Sequence, residues 1–421
     1  MKHGYRNRLA DSVLDTALEA SGAVLIEGPK WCGKTRTAEE KSASSLYMQD
    51  PDRTASYLKA ADTKPSLLLA GNTPRLIDEW QIAPVLWDAV RFAVDRRGET
   101  GQFILTGSAV PRDDGIRHTG TGRISRILMR PMSLFESLES NGAVSLKALF
   151  DGAKDAECFS ALSIEALAFA LTRGGWPASV GQKESAALRR VHDYVDAVIN
   201  IDVSRVDDVK KSPARLRALM RSLARNVSTE ASIATIRGDI AGSDETVSEK
   251  TIAGYLNALR RIFVVEDLPA WNPAMRSKTA LRTSPKRHFI DPSIATSVLR
   301  ASPDSLLSDF NTFGMLFESL CIRDLRVYAQ AIDGEVFHYR DKSGLEADAI
   351  VHLKDGRWGA VEVKMGAKEI EAAAENLQKL RGRINLDKMR EPSFLMVLTA
   401  GEPGYRRKDG VFIIPVGCLR N

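Results

Sequence analysis

Gly28-Pro29-Lys30-Trp31-Cys32-Gly33-Lys34-Thr35 places two glycines, a lysine and a hydroxyl at the spacing G-x-x-x-x-G-K-[ST]. That combination suits phosphate binding. The backbone of Gly28, Pro29, Lys30, Trp31, Cys32, Gly33, Lys34, Thr35 and Arg36 would line a cradle. The Lys34 ammonium would reach the β- and γ-phosphates, and the Thr35 hydroxyl would hold Mg²⁺. About forty residues later Leu76-Ile77-Asp78-Glu79 ends an apolar run in two acids. Asp78 is a metal ligand candidate, direct or through water, and Glu79 is the candidate to polarise an attacking water. Phe103-Ile104-Leu105-Thr106-Gly107-Ser108 is a further apolar run ending in hydroxyls. Thr106 or Ser108 could contact the γ-phosphate or water between loop and acids. Arg123, or second Arg126, could stabilise phosphoryl-transfer charge, in its own subunit or a neighbour's. The second case requires a homo-oligomer.

These residues need elements to hold them. Ala23-Val24-Leu25-Ile26-Glu27 suits a buried strand before the glycine loop, and Arg36-Thr37-Ala38-Glu39-Glu40-Lys41 suits a helix after it. Asp78 then falls at the C-terminal end of another strand, where the ligand crevice of an open α/β sheet lies. Ile124 to Met129 reads as a last strand.

A chain of 421 residues exceeds one ordinary core. Hydrophobic residues at 44% and charged residues at 27% fit a globular protein, and no apolar run is long enough to span a bilayer. The basic N-terminal stretch lacks the apolar core of a signal peptide. The four cysteines are far apart with no C-x-x-C pair, which argues against a zinc site or disulfide framework and for the cytoplasm. A net charge of +5 permits nucleic-acid binding without showing it.

The chain resembles prokaryotic AAA-type ATPases (AAA_14) joined to a C-terminal domain of unknown function (DUF4143). The matching stretches are the glycine loop with its strand, Leu76-Ile77-Asp78-Glu79-Trp80-Gln81, Leu105-Thr106-Gly107-Ser108, Arg130-Pro131-Met132-Ser133-Leu134-Phe135-Glu136 and Gly174-Gly175-Trp176-Pro177. The resemblance implies an AAA-type α/β P-loop core binding ATP or ADP over residues 1–140, and no settled physiological role.

Residues 141–300 read as helical. Leu188, Val191, Val195, Val198 and Ile199 form one stripe; Leu216, Leu219, Met220 and Leu223 form another, flanked by arginines. Within 229–291 the pattern suggests a winged helix. Its elements are a short helix at Ile233–Ile240, a T-x-x-E capping box at Thr246–Glu249, a second helix, and a strand at Phe263–Leu268 paired with Arg287–Asp291. The intervening loop carries Arg276, Lys278, Arg282 and Lys286 with no acid from Leu268 to Ile290. A wing so charged could lie along DNA.

In the region 301–421, Lys354-Asp355-Gly356 is a hairpin turn between two strands. The register puts Asp348 opposite Glu362, and Lys364 on the face of Glu362. This arrangement resembles restriction-endonuclease-like folds. The resemblance implies that Asp348 and Glu362 bind Mg²⁺, that Lys364 orients or activates water, that Glu318 is the helical acid beside them and that Gln378 is the polar residue of the next helix. Two readings follow: an Mg²⁺-dependent ATPase coupled to DNA engagement with a metal-dependent nuclease domain, or a nucleotide-gated DNA- or protein-binding regulator whose nuclease-like domain is silent.

Overall fold

Every residue of Val24-Leu25-Ile26 is buried, as befits a strand covered on both faces. The computed structural model describes residues 4–108, 120–203, 212–241, 247–273, 284–384 and 389–421. Two compact units divide the chain. One comprises Met1–Pro131, Asp202–Lys210 and Ala258–Val264, the other Met132–Ile201, Lys211–Asn257 and Val265–Asn421. The second unit takes most of the middle region, all but Asp202–Lys210 and Ala258–Val264, together with the C-terminal region.

The first unit runs α1 (Leu9–Ala20), β1 (Ala23–Glu27), α2 (Lys34–Lys41), β2 (Ser44–Tyr47), α3 (Thr54–Thr63), β3 (Arg75–Asp78), α4 (Val85–Arg97), β4 (Phe103–Gly107) and β5 (Ile124–Leu128). Its five strands are all parallel in the order β2-β3-β4-β1-β5. β4 therefore lies between the strand that feeds the glycine loop and the strand that ends in Asp78. Apolar clusters cover the two faces of this sheet. One is built on Leu25, Ile77, Trp80, Trp87 and Leu105, the other on Leu14, Val24, Ile26, Leu76 and Ile104.

The second unit begins with β6 (Val144–Ser145), α5 (Leu146–Phe150), β7 (Cys158–Phe159), α6 (Ile164–Arg173) and α7 (Glu184–Ala197). Then come α8 (Pro213–Arg225), α9 (Ile233–Ala241), α10 (Glu249–Arg261, its residues from Ala258 on belonging to the first unit), α11 (Pro292–Leu299), α12 (Pro303–Ser308) and α13 (Phe310–Gln330). The last elements are β8 (Gly334–Arg340), β9 (Glu346–Leu353), β10 (Trp358–Lys364), α14 (Ile370–Arg383), β11 (Phe394–Thr399), β12 (Pro403–Arg406), β13 (Phe412–Pro415) and β14 (Leu419–Arg420). A mixed seven-stranded sheet has the order β7-β12-β13-β11-β10-β9-β8, and β14 pairs with β6. Trp271, Trp358, Leu377 and Val397 belong to its core. Among the described residues no helix is long and apolar enough to cross a membrane.

The expected wing is not a continuous ladder. Isolated antiparallel bridges, Val265 with Phe289 and Leu268 with Lys286, join its two segments. Between them the Glu266 N–H donates to the His288 carbonyl at 3.0 Å, while other polar groups of the two segments find partners elsewhere. Arg287 bonds through its N–H and C=O to Thr229 and Ser228, and the Arg326 guanidinium takes the carbonyls of Glu266 and Asp267. Asp291 caps α11. Arg276, Lys278 and Arg282 lie outside the described residues, as does Thr246. The cap of α10 is Ser248, whose Oγ accepts the Thr251 N–H at 3.1 Å.

Arg323 on α13 organises the second unit. Its guanidinium donates to Asp291 at 2.9 Å and to Asp324 at 2.7 Å. Asp324 accepts the Leu134 N–H and Asp291 the Gly175 N–H, each at 3.0 Å. Three charges out of water are thus tied to backbone at Leu134 and Gly175. Arg323→Ala leaves two buried carboxylates without their cation. It should destabilise the second unit by ~3–5 kcal/mol in denaturant unfolding, whereas Arg189→Ala, an exposed i,i+4 pair, should cost at most ~0.5 kcal/mol.

Candidate functional site

The glycine loop adopts a conformation that its sequence makes accessible. Gly28 has φ +151°, and a Cβ there would sit 2.2 Å from the Met129 carbonyl oxygen. Gly33 begins α2 from the left-handed region, φ 105°. The first-turn N–H groups of α2 take no side-chain cap from Gly33. Lys34 is buried and folds back over the loop, donating to the carbonyls of Gly28 at 3.0 Å and Pro29 at 2.8 Å. Arg8 braces the loop, donating to Cys32 O and Arg130 O at 2.8 Å each. Lys30 pairs with Asp202 at 2.5 Å, Trp31 is exposed, and Arg36 pairs with Glu39.

The acids stand beside the loop. Asp78 is 0% exposed, and three side chains answer its charge. Thr35 Oγ1 donates to Oδ1 at 2.7 Å, Thr106 Oγ1 to Oδ1 at 2.5 Å and Gln49 Nε2 to Oδ2 at 2.7 Å. Thr106 reaches this position because it pairs with Asp78 in the β3–β4 ladder and with Ile26 in the β1–β4 ladder. Glu79 follows in the left-handed region at φ 55°, which turns its side chain away from the strand direction. Its carboxylate accepts from Gln81 Nε2 and, at 3.3 Å, from Ser108 Oγ. Sequence reasoning missed Arg8, Gln49 and Gln81. Gln81, two residues past Glu79 in the same motif, was the one with a local signal.

Arg123 is not brought to this group. The Ala23 N–H donates to its carbonyl, so it sits at the start of β1, ~13 Å of strand from the loop. There its side chain pairs with Asp95 of α4 at 2.8 Å. Arg126 lies along β5, 3.2 Å from Glu27 and over the Trp87 ring.

The C-terminal hairpin has the register counted from its turn, Trp358 with His352 through Val361 with Ala349. Asp348, Glu362, Lys364 and Glu318 do come together. Lys364 Nζ is 3.0 Å from Glu362 and 3.5 Å from Asp348. Asn376 of α14 donates to Glu362 at 2.7 Å, and the Val363 N–H to Asp348 at 2.9 Å. Gln378, in contrast, donates to the Asp409 carbonyl. One participant was assigned elsewhere by the sequence reading. Lys286, expected on an exposed wing, is 6% exposed, with Nζ 2.8 Å from Glu318 and 3.2 Å from Asp348. Burial works against its charge, yet Glu318 and Asp348 outweigh that and hold the ammonium above the ordinary lysine value. Burial, then the Asp348 charge, push Glu362 up to about 7 and Glu318 up to about 8. Burial also opposes the Asp348 charge, but the two lysines hold that carboxylate below its usual value. Among the described residues no group of three His, Cys, Asp or Glu side chains is set to hold a metal ion.

Comparisons with known proteins divide along the chain. Residues 20–138 match a family described as AAA domain. Residues 164–305 and 313–419 match two domains of unknown function, DUF8612 and DUF4143. Uncharacterized proteins of Mycobacterium bovis and Mycobacterium tuberculosis are each 24% identical over 420 residues, covering 97% of this chain and 83% of theirs. A Walker-type ATPase of Pyrococcus abyssi is similar at a TM-score of 0.42 and 14% identity, over 71% of this chain and 97% of that one. The AAA-domain match falls almost wholly within the first unit.

The raised Glu362 sets a pH dependence. A carboxylate that binds its proton more tightly folded than unfolded contributes stability fully present below its ordinary value near 4.5. That contribution is lost as pH rises through about 7. Wild type should therefore lose up to ~3 kcal/mol between pH 4.5 and pH 8 relative to Glu362→Gln, measured by denaturant unfolding across that range.

Proposed function

We propose that the first unit binds ATP with Mg²⁺ and hydrolyses it to ADP, and that the second unit responds to the nucleotide state. One observation carries this reading: Thr35, Asp78 and Thr106 form a single hydrogen-bonded group beside the Lys34 loop. The donor set fits a hard cation, a hydroxyl and a buried carboxylate already in contact. Thr35 and Asp78 would hold Mg²⁺, which when bound neutralises phosphate charge. The loop from Gly28 to Arg36 and the start of α2 would take the phosphates on backbone N–H groups. Lys34 would exchange two carbonyl partners for phosphate oxygens. Glu79 is the general base or water-orienting group, kept in position by Gln81 and Ser108, and Thr106 couples the acids to the strand under the loop. Arg123, at the opposite end of the strands from the loop, could serve only a site in another copy of the chain.

DNA engagement rests on the acid-free run with Arg276, Lys278 and Arg282, next to the helix pair α9 and α10 read as part of a winged helix. Lys286 does not belong to that surface. For the C-terminal sheet, read as restriction-endonuclease-like, the lysine between Glu318 and Asp348 favours the silent, regulatory alternative over a working metal nuclease.

Lys34→Ala should abolish ATP binding in equilibrium titration. Glu79→Gln should keep binding and lower turnover by on the order of 10²–10³-fold. Wild-type affinity and turnover in Lys34→Ala would remove the proposal. For DNA, replacing Arg276, Lys278 and Arg282 by Ala should flatten the slope of log affinity against log salt by up to ~3. An unchanged slope would move the DNA surface elsewhere.

A further inference from the structure

The acidic group at the C-terminal sheet already holds a cation, and that cation belongs to the chain. We infer that Lys286 is a tethered ammonium standing in the place of a divalent metal between Glu318 and Asp348, so that the site excludes such an ion while Lys286 is seated. The inference builds on the nuclease-like reading of the cluster.

Three features support it. The first is space. Lys286 Nζ lies 2.8 Å from Glu318 Oε1 and 3.2 Å from Asp348 Oδ1. A Mg²⁺ or Mn²⁺ ion shared by those same two oxygens would sit ~2.1 Å from each, in the volume the ammonium occupies. The two occupants are mutually exclusive.

The second is anchoring. The backbone of Lys286 exchanges both hydrogen bonds with Leu268, N–H to O at 3.0 Å and O from N–H at 2.9 Å. Its side chain is buried, so the ammonium is delivered by a fixed stretch of backbone rather than by a surface side chain folding inward.

The third is charge. Glu318, Asp348 and Glu362 come from α13, β9 and β10, and the cations facing them are Lys286 and Lys364. Carboxylates this buried require countercharge. Two lysines supply most of it, which leaves little attraction for a further dication. Lys364 stands where the resemblance expects a water-orienting lysine, whereas Lys286 bridges Asp348, an expected metal ligand, and the helical acid Glu318.

Mn²⁺ binding by the full chain without nucleotide, followed by the loss of the free-ion electron paramagnetic resonance signal, tests this directly. Wild type and Asp348→Asn should take up Mn²⁺ equally, because the cluster contributes no site. Lys286→Met should gain one site at least tenfold tighter than any in wild type. Asp348→Asn added to Lys286→Met should abolish it, and Mn²⁺ should raise the melting temperature of Lys286→Met but not of wild type. Should Lys286→Met fail to fold, Lys286→Gln keeps a polar but uncharged side chain among the acids and should gain the same site. Mn²⁺ uptake by wild type that Asp348→Asn removes overturns the inference. So does a folded lysine-free variant that gains no site. Plasmid cutting by the Mn²⁺-loaded variant separates the two readings. Binding without cutting keeps the tethered cation and leaves the silent, regulatory alternative; cutting restores the working metal nuclease.

Discussion

Asp78 has no contact with solvent, and its carboxylate is shared among side chains from α2, from the residues just after β2, and from β4. An unanswered charge at that depth would cost several kcal/mol, so these elements are held to one another wherever Asp78 is ionised. Thr35 cannot leave Asp78 without loosening the start of α2. Thr106 cannot leave without releasing the strand between the two motifs. The geometry of the loop, of the helix that receives it and of Glu79 one residue on all follow from meeting this one demand. The second unit obeys the same rule with the sign reversed. There the organising charge is a cation, Arg323, and the groups brought to it are two aspartates and the backbone at Leu134 and Gly175.

That demand also explains the stretches that are distinctive without being chemical. Leu134 in Met132-Ser133-Leu134 donates its N–H to Asp324, and Ser133 bonds Glu136 within the same turn. The Gly175 carbonyl accepts the Met132 N–H at 2.6 Å, and buried Trp176 donates to Ser293 at 3.0 Å. These residues join the start of the second unit to α11 and α13. Their role is to close a network rather than to touch a ligand.

Much of the first unit could be read from sequence because its signals are local. A glycine loop between an apolar strand and a helix has few alternatives, and an acidic pair closing a strand points to the same sheet edge. The hairpin register was also local, since a turn at Lys354-Asp355-Gly356 counts both strands from one origin. What escaped was set by distant partners. Arg8 and Gln49 carry no pattern that announces their bonds to Cys32 and Asp78. Lys286 was misassigned because a basic run reads as solvent-facing charge. Nothing in residues 268–290 says that acids on α13 and β9 await one of them. Arg123 looked attractive as a loop arginine, but β1 and β5 are parallel, which places it at the far end from the phosphates.

The segment just after the first unit is stitched to the far end of the chain. β6 pairs with β14, Ser140 and Ser145 donate to the carbonyls of Leu419 and Asn421, and β7 extends the seven-stranded sheet beyond β12. During synthesis the parallel sheet of the first unit has all its strands once β5 has emerged. Residues 140–160 must instead wait for some 250 further residues to be translated, at ~5–20 residues per second. For that interval, tens of seconds at the slower rate, they are unpaired strand segments on a growing chain, open to other edges or to chaperones.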